Sequence, residues 1–440
     1  MATNGVHHPA IIESADTDKL PPAPADPQNI KAFHDLDLNT LSPSTQAVHA
    51  DDPLNILDDV APAIHVSTTF RYDNDPDRLF PTHERDASTH DSSKHVYSRH
   101  TTHSTTRLEA ILSVLLKNPS LTYSSGLAAF NALITFLNPK RVFITAGYHG
   151  CHGVLKLHER LSGLKVLPLD GNPEEIQKGD LVHLETPINP TGLAFNIQHY
   201  ADIAHSKGAY LSVDATFGPP PLQDPFKHGA DVVMHSGTKY FGGHSDLLCG
   251  VLAVKEKAWI PQMVTDRMFL GSVMGGLEGW LGVRSLRTLE LRVTRQSESA
   301  RRIVDALDGA LTGHTVGTGL SQSDADIIRS VLKKVYHASL QTQDYKTWLK
   351  KQMPNGYGPV FSITMKTPDL ARRLPSKLNL FHHATSLGGV ESLIEWRTMT
   401  DETVDKDLLR ISIGIEDDKD LLDDLIQAFK ELAADTSESK

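Results

Sequence analysis

One lysine follows the apolar run at residues 232–234 and stands among small and hydroxyl residues. Because the strands on both sides of Lys239 have the composition of buried strands, desolvation favours the neutral, nucleophilic form of its amine. Such an amine is suited to a Schiff base, and the hydroxyls of Ser236 and Thr238 could hold the phosphate of an aldehyde cofactor that the amine captures. The alternative interpretation is a solvated loop lysine.

A carboxylate ends the apolar strand at residues 210–213, so Asp214 is expected at the rim of a sheet, where ligands bind in α/β proteins. Beside an aromatic cofactor nitrogen, Asp214 would keep that nitrogen protonated, and a protonated pyridine accepts electrons from a carbanion. This role requires Lys239 nearby. Taken alone, Asp214 is equally consistent with a helix N-cap or a turn.

Two loops that follow strands offer further candidates. Pro187 and Pro190 stiffen the turn around Asn189 and fix the direction of its side chain, although many such turns are purely structural. Tyr148 follows the strand at 142–145, so its ring could stack on a flat ligand. The alternative is an ordinary loop tyrosine.

Two arginines could bind acidic groups. Arg99, in the sequence Tyr97-Ser98-Arg99, suits a phosphate because a guanidinium matches phosphate geometry. Arg410 lies on a strand near the C-terminus and is a candidate for holding a substrate carboxylate. A surface ion pair is the alternative for Arg410.

A metal site is not expected. The histidine-rich stretch around Arg99 matches no familiar ligand spacing, and a second group that imitates half of a zinc site lacks the other half. The stretch contains His90, His95, His100 and His103, and the second group contains His149, Cys151 and His152.

Strands alternate with helices from residue 105 onward, which predicts a mainly parallel sheet with ligands beyond the carboxyl ends of its strands. The sequence Ser124-Ser125-Gly126 opens a helix, whose free N–H groups make an anion site. A long helix is expected after Gly275-Gly276. The predicted strands are 121–123, 142–145, 181–185, 210–214, 231–235, 247–254, 360–365 and 409–413, and the last helix is 417–433.

The chain divides into four expected regions. A proline-rich, disordered or extended arm covers residues 1–45, and residues 46–104 form a segment expected to contact a neighbouring subunit. A large domain follows at 105–296 and a smaller α/β domain at 297–440.

Composition excludes several classes of function. The net charge of −11 among 440 residues, without a basic stretch, argues against nucleic acid and membrane surfaces as partners. Two cysteines rule out a disulfide framework, and no apolar run approaches the ~20 residues that span a bilayer. A cytoplasmic location is expected.

Four motifs together resemble the Cys/Met-metabolism family of pyridoxal-phosphate enzymes, the fold-type-I group that contains cystathionine γ-synthase, cystathionine lyases and methionine γ-lyase. The resemblance covers roughly residues 55–430 and implies a large domain built on a mainly parallel seven-stranded sheet, plus a smaller C-terminal α/β domain. The motifs are HSGTKYFGGHSD at 235–246, ETPINPT at 185–191, SLGGVESL at 386–393 and LRISIGIED at 409–417.

The resemblance implies a role for each cofactor-site residue. Lys239 would form the internal aldimine with pyridoxal 5′-phosphate, Asp214 would pair with the pyridinium nitrogen, and Tyr148 would stack on the ring. The remaining contacts would come from Ser125, the N–H groups of Gly126 and Leu127, Thr216, Ser236, Thr238 and Asn189, which would also approach the ring oxygen of the cofactor.

The resemblance also implies contacts to substrate and to a second subunit. Asn189 and Arg410 would hold the substrate carboxylate, and Ser386 would orient Lys239. Tyr97 and Arg99 would reach the phosphate of the neighbouring subunit, so the working unit would be a homodimer or homotetramer with shared active sites.

Two segments depart from the family pattern. The family usually continues Tyr-Ser-Arg into Asn-Pro-Thr, whereas residues 103–105 are His-Ser-Thr. After SLGGVESL, the family commonly has His-Pro-Ala and a later Met-Thr-His, whereas this chain has Trp396-Arg397-Thr398-Met399-Thr400-Asp401. The cofactor motifs are intact, and the pocket wall near the substrate side chain is altered.

These departures favour the fungal secondary-metabolite branch of the family. The expected reaction is γ-replacement on O-acetyl-L-homoserine through a vinylglycine ketimine, with a second, nucleophilic co-substrate adding a carbon, nitrogen or sulfur atom at Cγ. The alternatives are a β- or γ-lyase of cystathionine or methionine, an O-acetylhomoserine sulfhydrylase and, more remotely, a non-catalytic cofactor-binding scaffold.

Overall fold

The computed structural model describes residues 37–55, 59–79 and 95–438. Two sheets organise these residues. Seven strands between residues 120 and 254 form the first sheet, and five strands between residues 332 and 412 form the second. In the described ranges, no helix is both long enough and apolar enough to cross a bilayer.

The first sheet has the strand order β1-β7-β6-β5-β4-β2-β3. Strands β2 to β6 run parallel, and β7 runs antiparallel to both of its neighbours. The central strands are buried along their whole length because helices cover both faces. This sheet confirms the predicted fold class. Its strands are β1 Ser120–Tyr123, β2 Arg141–Ile144, β3 Lys165–Pro168, β4 Leu181–Glu185, β5 Tyr210–Asp214, β6 Val232–Ser236 and β7 Gly250–Val254.

Three of the six helices described in the first half begin at side-chain caps. Thr102 and Thr105 form a capping box at the start of the second helix, and Ser125 and Asn196 cap two later helices. These caps satisfy N–H groups that have no partner within the helix. The helices are α1 Pro43–His49, α2 His103–Leu115, α3 Gly126–Leu137, α4 His149–Ser162, α5 Ile197–Ser206 and α6 Ile260–Leu270.

The long helix predicted after Gly275-Gly276 is two helices, α7 Gly276–Leu286 and α8 Leu289–Thr312. Two glycines let α7 approach α2 closely: a Cβ on Gly279 would lie 3.0 Å from the nitrogen of Thr105, and one on Gly282 would lie 2.7 Å from a methyl of Leu108. The apolar spacing that predicted one helix continues across the break, because Leu286 of α7 and Leu289 and Val293 of α8 lie in the same core, whereas Leu277 is exposed.

The second sheet has the order β10-β11-β12-β9-β8 and is antiparallel except for the pair β10 and β11. Buried residues of α8, α9 and α13 form a second core against it. Its strands are β8 Leu332–Tyr336, β9 Val360–Met365, β10 His382–His383, β11 Leu393–Trp396 and β12 Leu408–Ser412, and the accompanying helices are α9 Gln322–Val331, α10 Thr342–Asp344, α11 Lys350–Gln352, α12 Pro368–Arg373 and α13 Asp418–Glu438.

The N-terminal segment lies along the first half of the chain. Buried Asp51 pairs with Arg107 and Arg287, which fastens the segment to α2 and to the end of α7. Helix α1 begins inside the range predicted as an extended arm, at Pro43, and residues 1–36 of that arm lie outside the described residues. Beyond Asp51 the segment exposes apolar side chains, including Val60, Ile64, Val66 and Tyr72.

Candidate active site

The carboxyl ends of β4, β5 and β6 meet the N-terminus of α3 at one edge of the first sheet, where a cavity of about 360 Å³ opens. Loops of the second half close its other side. Every candidate cofactor or substrate residue chosen from the sequence lines this cavity, except Tyr97 and Arg99. Those that line it are Ser125, Gly126, Leu127, Tyr148, Asn189, Asp214, Thr216, Ser236, Thr238, Lys239, Ser386 and Arg410.

Lys239 presents its amine inside the cavity. Its Nζ donates a hydrogen bond of 3.1 Å to Oγ of Ser386. Burial, together with the nearby guanidinium of Arg410, lowers the pKa of Lys239 to about 8. The alternative of a solvated loop lysine is therefore excluded, and a substantial fraction of this amine is neutral near pH 8.

The loop that carries Ser386 is strained and tightly packed. Ser386 has a φ of 100°, a conformation that costs a residue with a side chain energy and that concentrates at functional sites. Gly388, two residues on, has a φ of 82°, and a Cβ there would lie 3.0 Å from both the carbonyl carbon of Lys239 and the nitrogen of Tyr240. The loop thus rests directly on the backbone of the lysine.

Replacing Gly388 by alanine is expected to lower the free energy of unfolding by about 1–3 kcal/mol, because the left-handed backbone and the contact with Lys239 both oppose a methyl group. Urea titration measures this change. Gly389→Ala is the matched control, since its Cβ would meet only the flexible side chain of Glu391. Equal losses in the two variants would contradict the packing argument.

Only one of the two carboxylate oxygens of Asp214 is fixed by hydrogen bonds to described residues. Its Oδ1 accepts hydrogen bonds from the nitrogen of Thr216 at 3.0 Å and from Oγ1 of Thr216 at 2.6 Å. The same hydroxyl accepts a hydrogen bond from the nitrogen of Ser236 and so joins the ends of β5 and β6. Burial raises the pKa of Asp214, and its Oδ2 makes no hydrogen bond to a described residue. The carboxylate is thus prepared to face a protonated nitrogen.

The N-terminus of α3 supplies an anion site. Oγ of Ser125 accepts a hydrogen bond from the nitrogen of Ala128, which leaves the N–H groups of Gly126 and Leu127 without a partner in the helix. Ser236 lies beside Gly126, whose missing Cβ would be 3.1 Å from the Ser236 hydroxyl. Thr238 also lines the cavity, but its hydroxyl exchanges hydrogen bonds with the backbone of Cys249.

Buried Glu185, to which the sequence analysis gave no role, positions two of the candidate residues. Its two oxygens accept hydrogen bonds of 2.7 Å from the backbone nitrogens of Tyr148 and Asn189. Burial and the nearby Asp214 raise the pKa of Glu185 to about 8. Tyr148 lies in the cavity wall with 37% of it exposed, and its partial burial raises the pKa of its hydroxyl.

Arg410 is buried, which excludes a surface ion pair. It donates to Oδ1 of Asn189 at 3.1 Å, to the carbonyl oxygen of Ser386 at 2.9 Å and to Oε2 of Glu395 at 2.6 Å. Burial lowers the pKa of Arg410 to about 10. The structure therefore brings Arg410 and Asn189 together, as predicted, beside Lys239.

The sequence analysis did not identify several further residues that line the cavity or lie behind its wall. Glu395 becomes the partner of Arg410 only through the register of β11 with β12, which no local pattern reveals. Arg397 and Thr400 lie in the segment that departs from the family motif, and that departure was the available signal. The lining also includes His149, Thr385 and Leu387.

Tyr97 and Arg99 lie outside the cavity of their own chain. Both are exposed, and the guanidinium carbon of Arg99 lies 5.1 Å from the centre of the Tyr97 ring. An isolated antiparallel β-bridge pairs the backbone of Tyr97 with that of Thr69 and attaches this part of the chain to the N-terminal segment.

Cys151, His183 and Asp214 place potential metal ligands within 4.8 Å of one another. Burial raises the pKa of the Cys151 thiol well above its usual value, so the thiolate that binds metals is disfavoured. His183 pairs with Oγ of Ser212 at 2.7 Å. Of the group predicted to imitate zinc ligands, His152 instead contacts the backbone oxygens of Thr145 and Ala146.

The donor set fits a phosphorylated pyridine that carries an aldehyde. The start of α3 suits its phosphate, the open oxygen of Asp214 suits its ring nitrogen, and the amine of Lys239 suits its aldehyde. No described cluster offers an equivalent combination elsewhere.

Comparisons with known proteins agree with this fit. The chain is 31% identical over 413 residues to cystathionine gamma-lyase of Saccharomyces cerevisiae, covering 88% of this chain and 97% of the relative. It is 30% identical over 410 residues to the chloroplastic cystathionine beta-lyase of Arabidopsis thaliana, covering 88% and 81%.

Solved structures show the same architecture. The fold superposes on metB from Corynebacterium glutamicum with a TM-score of 0.78 and 28% identity, covering 90% of this chain and 100% of that one. A cystathionine gamma synthase from Xanthomonas oryzae pv. oryzae gives 0.76 and 26% identity, covering 90% and 99%. The profile of the Cys/Met metabolism PLP-dependent enzymes matches residues 44–430. The chain therefore belongs to this family of fold-type-I enzymes, and its cofactor is pyridoxal 5′-phosphate.

Proposed function

We propose that the protein catalyses γ-replacement on an activated homoserine, O-acetyl-L-homoserine above all, and adds a carbon, nitrogen or sulfur nucleophile at Cγ in secondary metabolism. The observation that carries the proposal is the position of the Lys239 amine, of lowered pKa, beside the Arg410 and Asn189 pair. A base at that position can move protons at both Cα and Cβ of an amino acid whose carboxylate Arg410 holds.

Bound pyridoxal phosphate supplies an aldehyde that condenses with amines and a ring that withdraws electrons from carbon. The chain supplies the rest. Lys239 transfers protons, and Ser386 orients its Nζ through their hydrogen bond. Asp214 would hold the proton on the ring nitrogen, Tyr148 would stack on the ring and assist proton transfer, and Arg410 with Asn189 would fix the substrate carboxylate.

The α3 end of the site would hold the phosphate. Ser125, Ser236, Thr238 and the N–H groups of Gly126 and Leu127 surround this position, and Thr216 positions Asp214. A neighbouring subunit would add Tyr97 and Arg99, in a homodimer or homotetramer. The exposed apolar side chains of the N-terminal segment and the exposure of Arg99 support this arrangement.

Incubation with O-acetylhomoserine and a panel of thiol, amine and β-keto nucleophiles tests the reaction. The proposal requires release of acetate and a product whose mass equals the aminobutyrate unit plus the nucleophile. Absence of acetate release with every nucleophile would overturn it.

A β- or γ-lyase activity is the second candidate, and the likeness to cystathionine lyases of yeast and plant supports it. The same residues would serve, because elimination differs from replacement in whether a nucleophile adds before the product leaves. Release of ammonia and a 2-oxo acid from cystathionine or methionine, faster than replacement, identifies a lyase.

The lowered pKa of Lys239 predicts a pH dependence of cofactor uptake. Because only the neutral amine reacts with an aldehyde, the rate should rise about tenfold per pH unit below the midpoint and level off above about pH 8. Stopped-flow absorbance with cofactor-free protein measures it between about pH 6 and about pH 11.5, a range that includes the pKa of an ordinary lysine. Nα-acetyl-lysine amide is the control, because its side-chain amine has the ordinary lysine pKa and its reaction rate levels off only near pH 10.4. The same midpoint for protein and control would contradict the prediction.

A further inference from the structure

Arg397 lies directly after β11, in the short helical turn Arg397–Met399, and lines the cavity although only 3% of it is exposed. One of its terminal nitrogens, Nη1, donates to Oε2 of Glu395 at 2.9 Å and to Oγ1 of Thr400 at 3.0 Å. These bonds fix the plane of the guanidinium.

The opposite edge of this guanidinium, formed by Nε and Nη2, makes no hydrogen bond to a described residue. Its Nε is buried and has no hydrogen-bond partner among residues 37–55, 59–79 and 95–438. Its Nη2 forms an ion pair with Oδ2 of Asp401 at 3.6 Å, a distance that exceeds hydrogen-bond distance. A buried donor left unpaired costs about 1–3 kcal/mol, and more when it is charged. The edge formed by Nε and Nη2 is the face that binds both oxygens of a carboxylate.

Arg397 and Arg410 share one counter-ion. Oε2 of Glu395 accepts a hydrogen bond from each, at 2.9 Å and 2.6 Å. The two arginines hold the pKa of Glu395 below its usual value, although burial alone would raise it. Glu395 thus joins two buried cations that line the same cavity, and Asp401 is a second, more distant counter-ion of Arg397.

The two arginines serve different partners. Arg410 contacts Asn189 and Ser386, which places it at the position proposed for the carboxylate of the amino acid donor. Asp401 pairs with Arg397 only through the 3.6 Å contact of its Oδ2 with Nη2, while its Oδ1 accepts hydrogen bonds from the nitrogen and hydroxyl of Thr403, so Asp401 leaves Nε without a hydrogen bond. The acetyl group of the proposed donor carries no charge, so the donor has no second carboxylate that could bind Arg397.

We propose that Arg397 binds a carboxylate carried by the second, nucleophilic co-substrate, through its Nε and Nη2. The inference rests on the proposed γ-replacement and narrows its co-substrate to carboxylate-bearing molecules, such as β-keto acids and amino acids. Under this proposal, the segment that departs from the family motif selects the co-substrate, whereas Lys239, Asp214 and Arg410 take part in the reaction itself.

Matched pairs of nucleophiles test the proposal. Acetoacetate and its methyl ester differ only in the charge that Arg397 would bind, so Arg397→Met should raise the KM for acetoacetate at least tenfold. The KM values for the ester and for O-acetylhomoserine should stay within twofold. Arg397→Lys keeps the charge but loses the two-donor edge, so it should give an intermediate KM for acetoacetate. This variant keeps the test informative if the methionine variant misfolds. Arg372→Met, at an exposed arginine, is the control.

A binding measurement separates this inference from the proposed function. Holoenzyme saturated with L-2-aminobutyrate, which occupies the Arg410 position, is titrated with acetoacetate by calorimetry. Binding that Arg397→Met abolishes and Arg372→Met retains supports the assignment even if no acetate is ever released. Equal binding by wild type and Arg397→Met overturns it. A KM effect confined to O-succinylhomoserine, whose acyl group carries a carboxylate, also overturns it by assigning Arg397 to the donor.

Discussion

Lys239→Ala should abolish turnover and remove the visible absorption band of the purified holoenzyme. The loss in kcat should reach about four orders of magnitude, the upper end of what a positioned general base contributes, because the same amine both attaches the cofactor and moves protons. Among the described residues that line the cavity, Lys239 is the one lysine, so no second amine is available there to replace it. Acetate release and an absorption spectrum measure the two effects.

The control for this variant is Lys257→Ala, at an exposed lysine on the same half of the chain. It should leave both activity and spectrum as in wild type. An unchanged spectrum in Lys239→Ala would show that the cofactor is attached elsewhere, and retained activity would show that another base moves the protons.

Asp214→Asn should lower kcat roughly a thousandfold, which is the size of effect expected when one preorganised charge or donor in a site is removed. Asparagine keeps the shape of the side chain and can still accept the hydrogen bonds from Thr216, so the fold should be retained. It loses the negative charge that would keep the ring nitrogen protonated. Steady-state rates and the thermal midpoint, measured together, separate this chemical effect from unfolding.

Asp231→Asn is the matched control, because Asp231 lies at the opposite edge of the same sheet and pairs with His205. A loss of kcat as large in that variant as in Asp214→Asn would mean that the sheet, and not the charge at the ring nitrogen, determines activity. Loss of activity in Asp214→Asn together with a large decrease in its thermal midpoint would likewise attribute the effect to unfolding and not to the lost charge.

Local patterns in the sequence were sufficient to locate the first-sheet side of the site. Asp214 and Ser236 end buried apolar strands, and Ser125 stands at a helix start, so each is marked by the residues next to it. Parallel strands then bring these ends to one edge. The motifs that resemble the family carried the rest of the assignment.

Other features depend on contacts that no local pattern encodes. Strand β3 is an edge strand with two exposed ends, so it lacks the apolar run that marked its neighbours. Glu185 accepts a hydrogen bond from the backbone nitrogen of Tyr148 in a different loop, 37 positions earlier, and Glu395 acts through a cross-strand register. The role of Arg397 rests on the same register, and the sequence showed only that its segment was unusual.

The packing of Gly388 against Lys239 means that the site is completed late in the synthesis of the chain. Ser386 follows its lysine partner by 147 positions, and Arg410 follows Asn189 by 221. Both contacts join the two sheets, and contacts of such sequence separation form only after long loops close. A growing chain can fold its first sheet on the ribosome while it still lacks a substrate site. Until residues 386–410 have been synthesised, Lys239 lacks its Ser386 partner and Asn189 lacks its Arg410 partner.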